Sequence, residues 1–141
     1  MSTANQRVFD VALTHIRTQK RKSVDKEGNC VYRASNGDRC AFSPCIEHYD
    51  ESLEGQNPSY LIEDIPHVLF EWAKEADPDL CEEIQDAHDL VSDPFMEYFE
   101  KEMAKIAKEW GLIYRKPNTG RVIKTAKIPI ITNTQIPLVT V

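Results

Sequence analysis

Cys30, Cys40, Cys45 and His48 are the side chains in this sequence best suited to metal chemistry. Three sulfurs and one ring nitrogen make a complete tetrahedral zinc set. Zinc modules bring their ligands in pairs about two to four residues apart. Here the gaps are nine, four and two intervening residues, so only Cys45 and His48 form a close pair. Cys30 and Cys40 also flank a turn at similar distances, which permits a disulfide in oxidising buffer. The plainer reading makes all of these cysteines small buried hydrophobes. A zinc- or small-ligand-binding protein built on this cysteine segment is therefore kept as an alternative, with no other cofactor expected.

A second constellation is acidic. Glu82, Asp86 and Asp89 fall on one face of a helical segment that also carries Gln85 and His88. Dimetal carboxylate bundles want a glutamate three residues before the histidine. Gln85 holds that position and no second copy exists, so a solvated acidic face is the better reading. No glycine-rich phosphate loop, Gly-x-Ser-x-Gly elbow or His-Glu-x-x-His helix is present. A Cys45 and His48 nucleophile pair lacks an orienting third group. The balance is against an enzyme.

Charge is strongly segregated. Between Glu47 and Glu102 eighteen acidic residues face two basic ones, while residues 1–46 are +4 and residues 103–141 are +6. Such a block either meets a basic partner or is neutralised by the chain's own basic ends. The expected partner is the basic surface of another protein, with Glu82, Glu83, Asp86, Asp89 and Glu97 as the contact residues. The net charge of −6 disfavours direct nucleic-acid binding. No apolar run approaches the roughly 20 residues of a membrane span, and the N-terminus has no apolar leader core. No membrane contact is expected, and the expected location is cytoplasmic.

These residues need elements to position them. Val8, Phe9, Ala12, Leu13 and Ile16 predict an amphipathic helix over 4–22. Asn36-Gly37 between Cys30-Val31-Tyr32-Arg33 and Arg39-Cys40-Ala41-Phe42 predicts a β-hairpin. Residues 43–60 read as a loop with one helical turn. Three helices follow: one along Ile65, Val68, Leu69, Trp72, Ala73 and Ala76; one started by Asp77-Pro78; and one started by Asp93-Pro94 and stopped by Gly111. In the last, Phe95, Phe99, Met103, Ile106, Ala107 and Trp110 form the strongest apolar stripe.

After Gly120 the chain has no acidic residue and contains a short echo, Lys127-Ile128-Pro129-Ile130-Ile131-Thr132 and Gln135-Ile136-Pro137-Leu138-Val139-Thr140. A proline in each β-favouring unit suits edge strands or extended arms. Ile128, Ile130, Ile136 and Leu138 are the expected contacts of a homo-oligomer, which gives a self-assembling structural protein as a further alternative. The expected fold is α+β: a mainly helical domain over 1–112 with about four helices and one β-hairpin, then an extended, basic and apolar β-type tail over 113–141.

Cys30-Val31-Tyr32-Arg33, Asn36-Gly37-Asp38-Arg39-Cys40-Ala41, the acidic Tyr49 to Gly55 loop and Gln85-x-x-His88-Asp89 together resemble a loose group of small phage and prophage proteins. The similarity spans about residues 8–112. It departs at Ala41-Phe42-Ser43-Pro44, where a glycine-containing turn is expected, and excludes the tail. The resemblance implies no catalytic residue. It implies a phage accessory protein, acting in the host cytoplasm, that binds and inhibits a host factor or defence component. An acidic surface can do so by occupying a basic nucleic-acid-binding groove.

Overall fold

The computed structural model describes residues 3–117. Four α-helices, α1 (Thr3–Gln19), α2 (Pro58–Asp64), α3 (Pro78–Asp89) and α4 (Phe95–Trp110), enclose one core; 3-10 turns lie in the connections from α1 to α2 and from α2 to α3. The apolar stripe of α1 is buried through Ala4, Val8, Phe9, Ala12, Leu13 and Ile16, and that of α4 through Phe95, Phe99, Met103, Ile106 and Ala107. Both stripes were legible as 3.6-residue periodicity, because a helix that leaves water on one side must present its apolar side chains on the other. α3 packs against α1, α2 and α4 and so stands at the centre of the arrangement.

The helix ends follow local chemistry. The Asp77 side chain accepts from the Asp79 backbone N–H at 2.9 Å, and Pro78 occupies the first turn, where no amide donor is needed. Gly111, at φ +68°, closes α4 with its backbone N–H donating to the Ala107 carbonyl. The start of α4 differs from expectation. Asp93-Pro94 is a cis peptide, Pro94 itself holds the cap position, and no side chain caps the helix.

The α+β expectation is corrected: among the described residues there is no β-strand and no sheet, and the fold is mainly helical. Asn36-Gly37 does reverse the chain, with Gly37 at φ +96° and its N–H donating to the Ala34 carbonyl. The arms make only one isolated antiparallel bridge, Arg33 with Arg39. The ladder fails because side chains take its donors. The Tyr32 amide donates to the Glu54 carboxylate at 2.8 Å and the Asp38 amide to Asn36 Oδ1 at 3.0 Å, while the Arg33 and Arg39 amides, which face away from the opposite arm, donate to Glu54 at 3.1 Å and to Gln19 Oε1 at 2.8 Å. Once an amide has a partner of this quality, a cross-strand carbonyl adds little.

The helix expected along Ile65 to Ala76 is also absent. Pro66 lacks an amide donor, and the segment breaks into two 3-10 turns, Pro66–Val68 and Glu71–Ala73. Between them Phe70 N–H donates to the Cys45 carbonyl at 3.0 Å, and the Val68 carbonyl accepts from Glu47 and His48. The apolar spacing was real, since Val68, Leu69, Ala73 and Ala76 are buried, but the backbone pairs with the preceding loop. Conversely, α2 occupies the end of the segment read as loop. Asn57 caps it by accepting from the Tyr60 amide at 3.1 Å, Pro58 opens it, and Leu61 and Ile62 are buried. Ile128, Ile130, Ile136 and Leu138 lie outside the described residues. No helix among the described residues is long and apolar enough to cross a membrane.

Candidate functional site

Helix geometry decides where the acids of α3 face. Residues three and four apart share a face, so Glu82, Asp86 and Asp89 form one row and Glu83 stands beside it. α4 brings Tyr98, Glu102, Lys105 and Glu109 up on one face by the same rule. Between the two helices lies a groove of about 580 Å³. Five carboxylates, from Glu83, Asp86, Asp93, Glu102 and Glu109, line it against a single cation, Lys105. Its apolar lining is Ala87, Ile106 and the connection after α3, where Leu90 is 74% exposed. Glu83 is held in place by Trp110, whose indole N–H donates to it at 3.2 Å.

A smaller concavity of about 210 Å³ lies along Cys30, Tyr32, Glu54, Glu82, Asp86 and Asp89, so Asp86 borders both hollows. Crowding has an electrostatic consequence there. Partial burial, followed by the charges of Glu82, Asp89 and Glu83, raises the Asp86 carboxyl above the usual carboxylate range. A bound cation would relieve that repulsion.

Of the residues expected to meet a partner, Glu83 and Asp86 line the larger groove, and Glu82 and Asp89 line the smaller one. Glu82 is partly engaged, accepting from the Ser59 amide at 2.9 Å. Glu97 lines neither and pairs with Lys101 at 3.6 Å. Glu102, Glu109, Asp93, Tyr98 and Leu90 were not singled out from sequence. The Glu102, Lys105, Glu109 spacing was the available signal, but the partner helix across the groove was not.

The cysteines are not gathered into the expected set. Cys40 and Cys45 are fully buried in the core and His48 is exposed beside Glu47 at 3.5 Å. Burial holds the Cys40 thiol far above its ordinary range and pushes the Cys45 thiol up to about 12. The described residues instead place Cys30, His88 and Asp89 together, with ligand atoms within 4.8 Å. The histidine has no free nitrogen for a metal. The Ser23 amide donates to His88 Nε2 at 3.0 Å, which puts the ring proton on Nδ1, from where it is donated to Asp89 Oδ1 at 2.6 Å. Cys30 is half-buried, and burial together with Asp89 pushes its thiol up to about 11.

The same geometry bears on catalysis. A buried His-Asp pair resembles half of a catalytic triad, yet the nitrogen that would accept a proton is plugged by a backbone amide. His88 is thus built as a structural connector between α3 and the Ser23 segment. Gln85 does similar work: its Oε1 accepts from the Phe42 amide at 3.0 Å and its Nε2 donates to Asp89 at 2.9 Å. Glu54, through Tyr32, Arg33 and the Tyr49 hydroxyl at 2.6 Å, ties the acidic loop to the Asn-Gly turn. The short motifs quoted above therefore meet in one hydrogen-bonded network behind the acidic wall. Comparison with family profiles, curated proteins and solved structures finds no match for this chain.

Proposed function

We propose that this protein is a small acidic accessory protein of phage type that binds, and thereby inhibits, a basic host or defence protein through the groove between α3 and α4. One observation carries the reading. The groove is lined by five carboxylates and, where α3 ends, by an exposed leucine, so it offers apolar contact and charge at once. A surface acidic only for solubility needs no such apolar contact. A partner that presents lysines and arginines around an apolar residue, as basic nucleic-acid-binding faces do, is complementary to it.

The test compares the tagged wild-type protein with the triple variant Glu83→Lys, Asp86→Lys, Glu102→Lys in capture from host extract. At about 0.1 M salt the wild type retains a basic protein, and near 1 M, where the Debye length shrinks to about 3 Å, it releases it. The triple variant, folded by circular dichroism, captures nothing at either salt. A variant that holds the same partner, or capture insensitive to salt, overturns the proposal. The captured protein's own activity, assayed with and without this protein, then separates inhibition from mere binding.

A further inference from the structure

In a chain of net charge −6, two arginines stand opposite each other on the arms of the Asn36-Gly37 turn. The bonds that flank the Arg33–Arg39 bridge run from the Ala34 amide to the Asp38 carbonyl at 2.8 Å and from the Cys40 amide to the Tyr32 carbonyl at 3.2 Å. They make Arg33 and Arg39 a non-hydrogen-bonded pair, whose side chains leave the same face of the arms at the closest spacing a ladder allows. Like charges placed there repel. Burial, and after it the charge of Arg33, lowers the pKa of the Arg39 guanidinium.

Neutral groups hold both guanidiniums. Arg33 lies over the Tyr49 ring, 4.5 Å from its centroid, and the Tyr49 hydroxyl is itself fixed by donating to Glu54 at 2.6 Å. Arg39 donates from Nε to Ser43 Oγ at 3.2 Å and from Nη2 to the Ser43 carbonyl at 3.1 Å, and Ser43 is fully buried. These contacts orient the two side chains without cancelling their charge. Arg17 and Arg21, by contrast, meet Glu100 at 2.6 Å and Asp38 at 2.7 Å. Among the described residues no carboxylate forms an ion pair with Arg33 or Arg39, and Glu54 accepts from the Arg33 amide rather than from its guanidinium. A guanidinium carries five N–H donors. Arg39 places two hydrogen bonds on Ser43, and the Arg33 side chain places none on the described residues. Two positive charges with donors to spare thus share one face. A carboxylate has two oxygens and fills one guanidinium fork, whereas a phosphate dianion, with three or more acceptor oxygens, matches two forks in charge and in acceptors.

We propose that Arg33 and Arg39 form a binding site for a phosphate dianion, with Tyr49 and Ser43 as the supports that hold the two guanidiniums in place. The bound anion supplies the counter-charge that the described residues do not give this pair. No residue of the α3/α4 groove takes part, so the site stands or falls apart from the proposed function.

The test is a titration of the full-length, isotope-labelled protein at about pH 7, followed through the arginine Nε and Cζ resonances, with ionic strength held constant by sodium chloride. Inorganic phosphate and glycerol phosphate are the probes, and acetate is the carboxylate control. The expected result is a saturating shift of the Arg33 and Arg39 resonances while those of Arg17 and Arg21, already paired, stay in place. Saturation at a lower concentration of glycerol phosphate than of inorganic phosphate assigns the site to phosphate esters, and the reverse assigns it to the free ion. Arg33→Gln, at an exposed position that leaves the Ser43 anchor of Arg39 intact, should weaken binding about tenfold or more by removing charge-assisted hydrogen bonds. Arg7→Gln, which makes the same change of net charge on α1, should leave binding unchanged. Shifts that fail to saturate, or that acetate reproduces at the same concentration, overturn the inference. So does binding that Arg33→Gln leaves intact or that Arg7→Gln weakens equally.

Discussion

Replacing Glu54 with alanine removes the carboxylate that stands where a β-ladder was expected. Three donors lose their acceptor: the Tyr32 amide at 2.8 Å, the Arg33 amide at 3.1 Å and the Tyr49 hydroxyl at 2.6 Å. Their environments set the magnitude. Tyr32 is 5% exposed, so its amide is left without water and costs about 1–3 kcal/mol. Arg33 is exposed and its amide finds solvent, contributing close to nothing. Tyr49 is half-buried, and its hydroxyl adds about 0.5–1 kcal/mol. The expected loss is about 2–4 kcal/mol, read as a lowered midpoint of urea unfolding at unchanged m. Tyr49→Phe alone should lose no more than about 1 kcal/mol, and the double variant should be less destabilised than the two losses added, because one bond is counted in both. The Tyr49 phenol, held well above its ordinary range by burial and then by Glu54, should titrate at lower pH in the Glu54→Ala variant. A Glu54→Ala loss below about 0.5 kcal/mol would refute the reasoning, since it would mean that the Tyr32 amide has found a backbone partner and the ladder can form after all.

Three further outcomes follow from the same geometry. Asp86→Asn should stabilise the protein at pH 7, by less than about 1 kcal/mol because the side chain is largely exposed and screened. A carboxyl with a raised folded pKa favours folding only while protonated, so the gain should vanish as pH falls below the ordinary value of 3.8 in paired thermal melts. His88→Leu should cost about 1–3 kcal/mol by chemical denaturation, because it leaves the fully buried Ser23 amide without an acceptor. In alkylation with iodoacetamide at pH 8, Cys30 should react slowly, its thiol sitting at about 11, while the buried Cys40, Cys45 and Cys81 react only after unfolding. Fast labelling of Cys40 or Cys45 would show that the core around α3 opens.

Periodicity carried the two long amphipathic helices, because burial of one helical face imposes a 3.6-residue spacing wherever the neighbour comes from. Asp77-Pro78 and Gly111 were equally readable, since a cap acts within a few residues of itself. The hairpin and the Ile65 to Ala76 helix were not. Their local signals were sound, yet the partners that decided them, Glu54, the Cys45 carbonyl and the Glu47 and His48 amides, come from segments about twenty residues away.

The site divides along the same line. Residue types alone established that the middle of the chain is acidic, and helical spacing put Glu82, Asp86 and Asp89 in one row. Only the tertiary structure joined Glu83 and Asp86 to Glu102 and Glu109 across a groove, moved Glu97 out of it, and replaced the Cys30, Cys40, Cys45 and His48 set by a Cys30, His88 and Asp89 cluster whose histidine is already occupied. The physical reason is range. Helix faces and caps are written in interactions between residues three or four apart, whereas a groove or a ligand set depends on which elements pack together, and that is settled by the burial of the whole core.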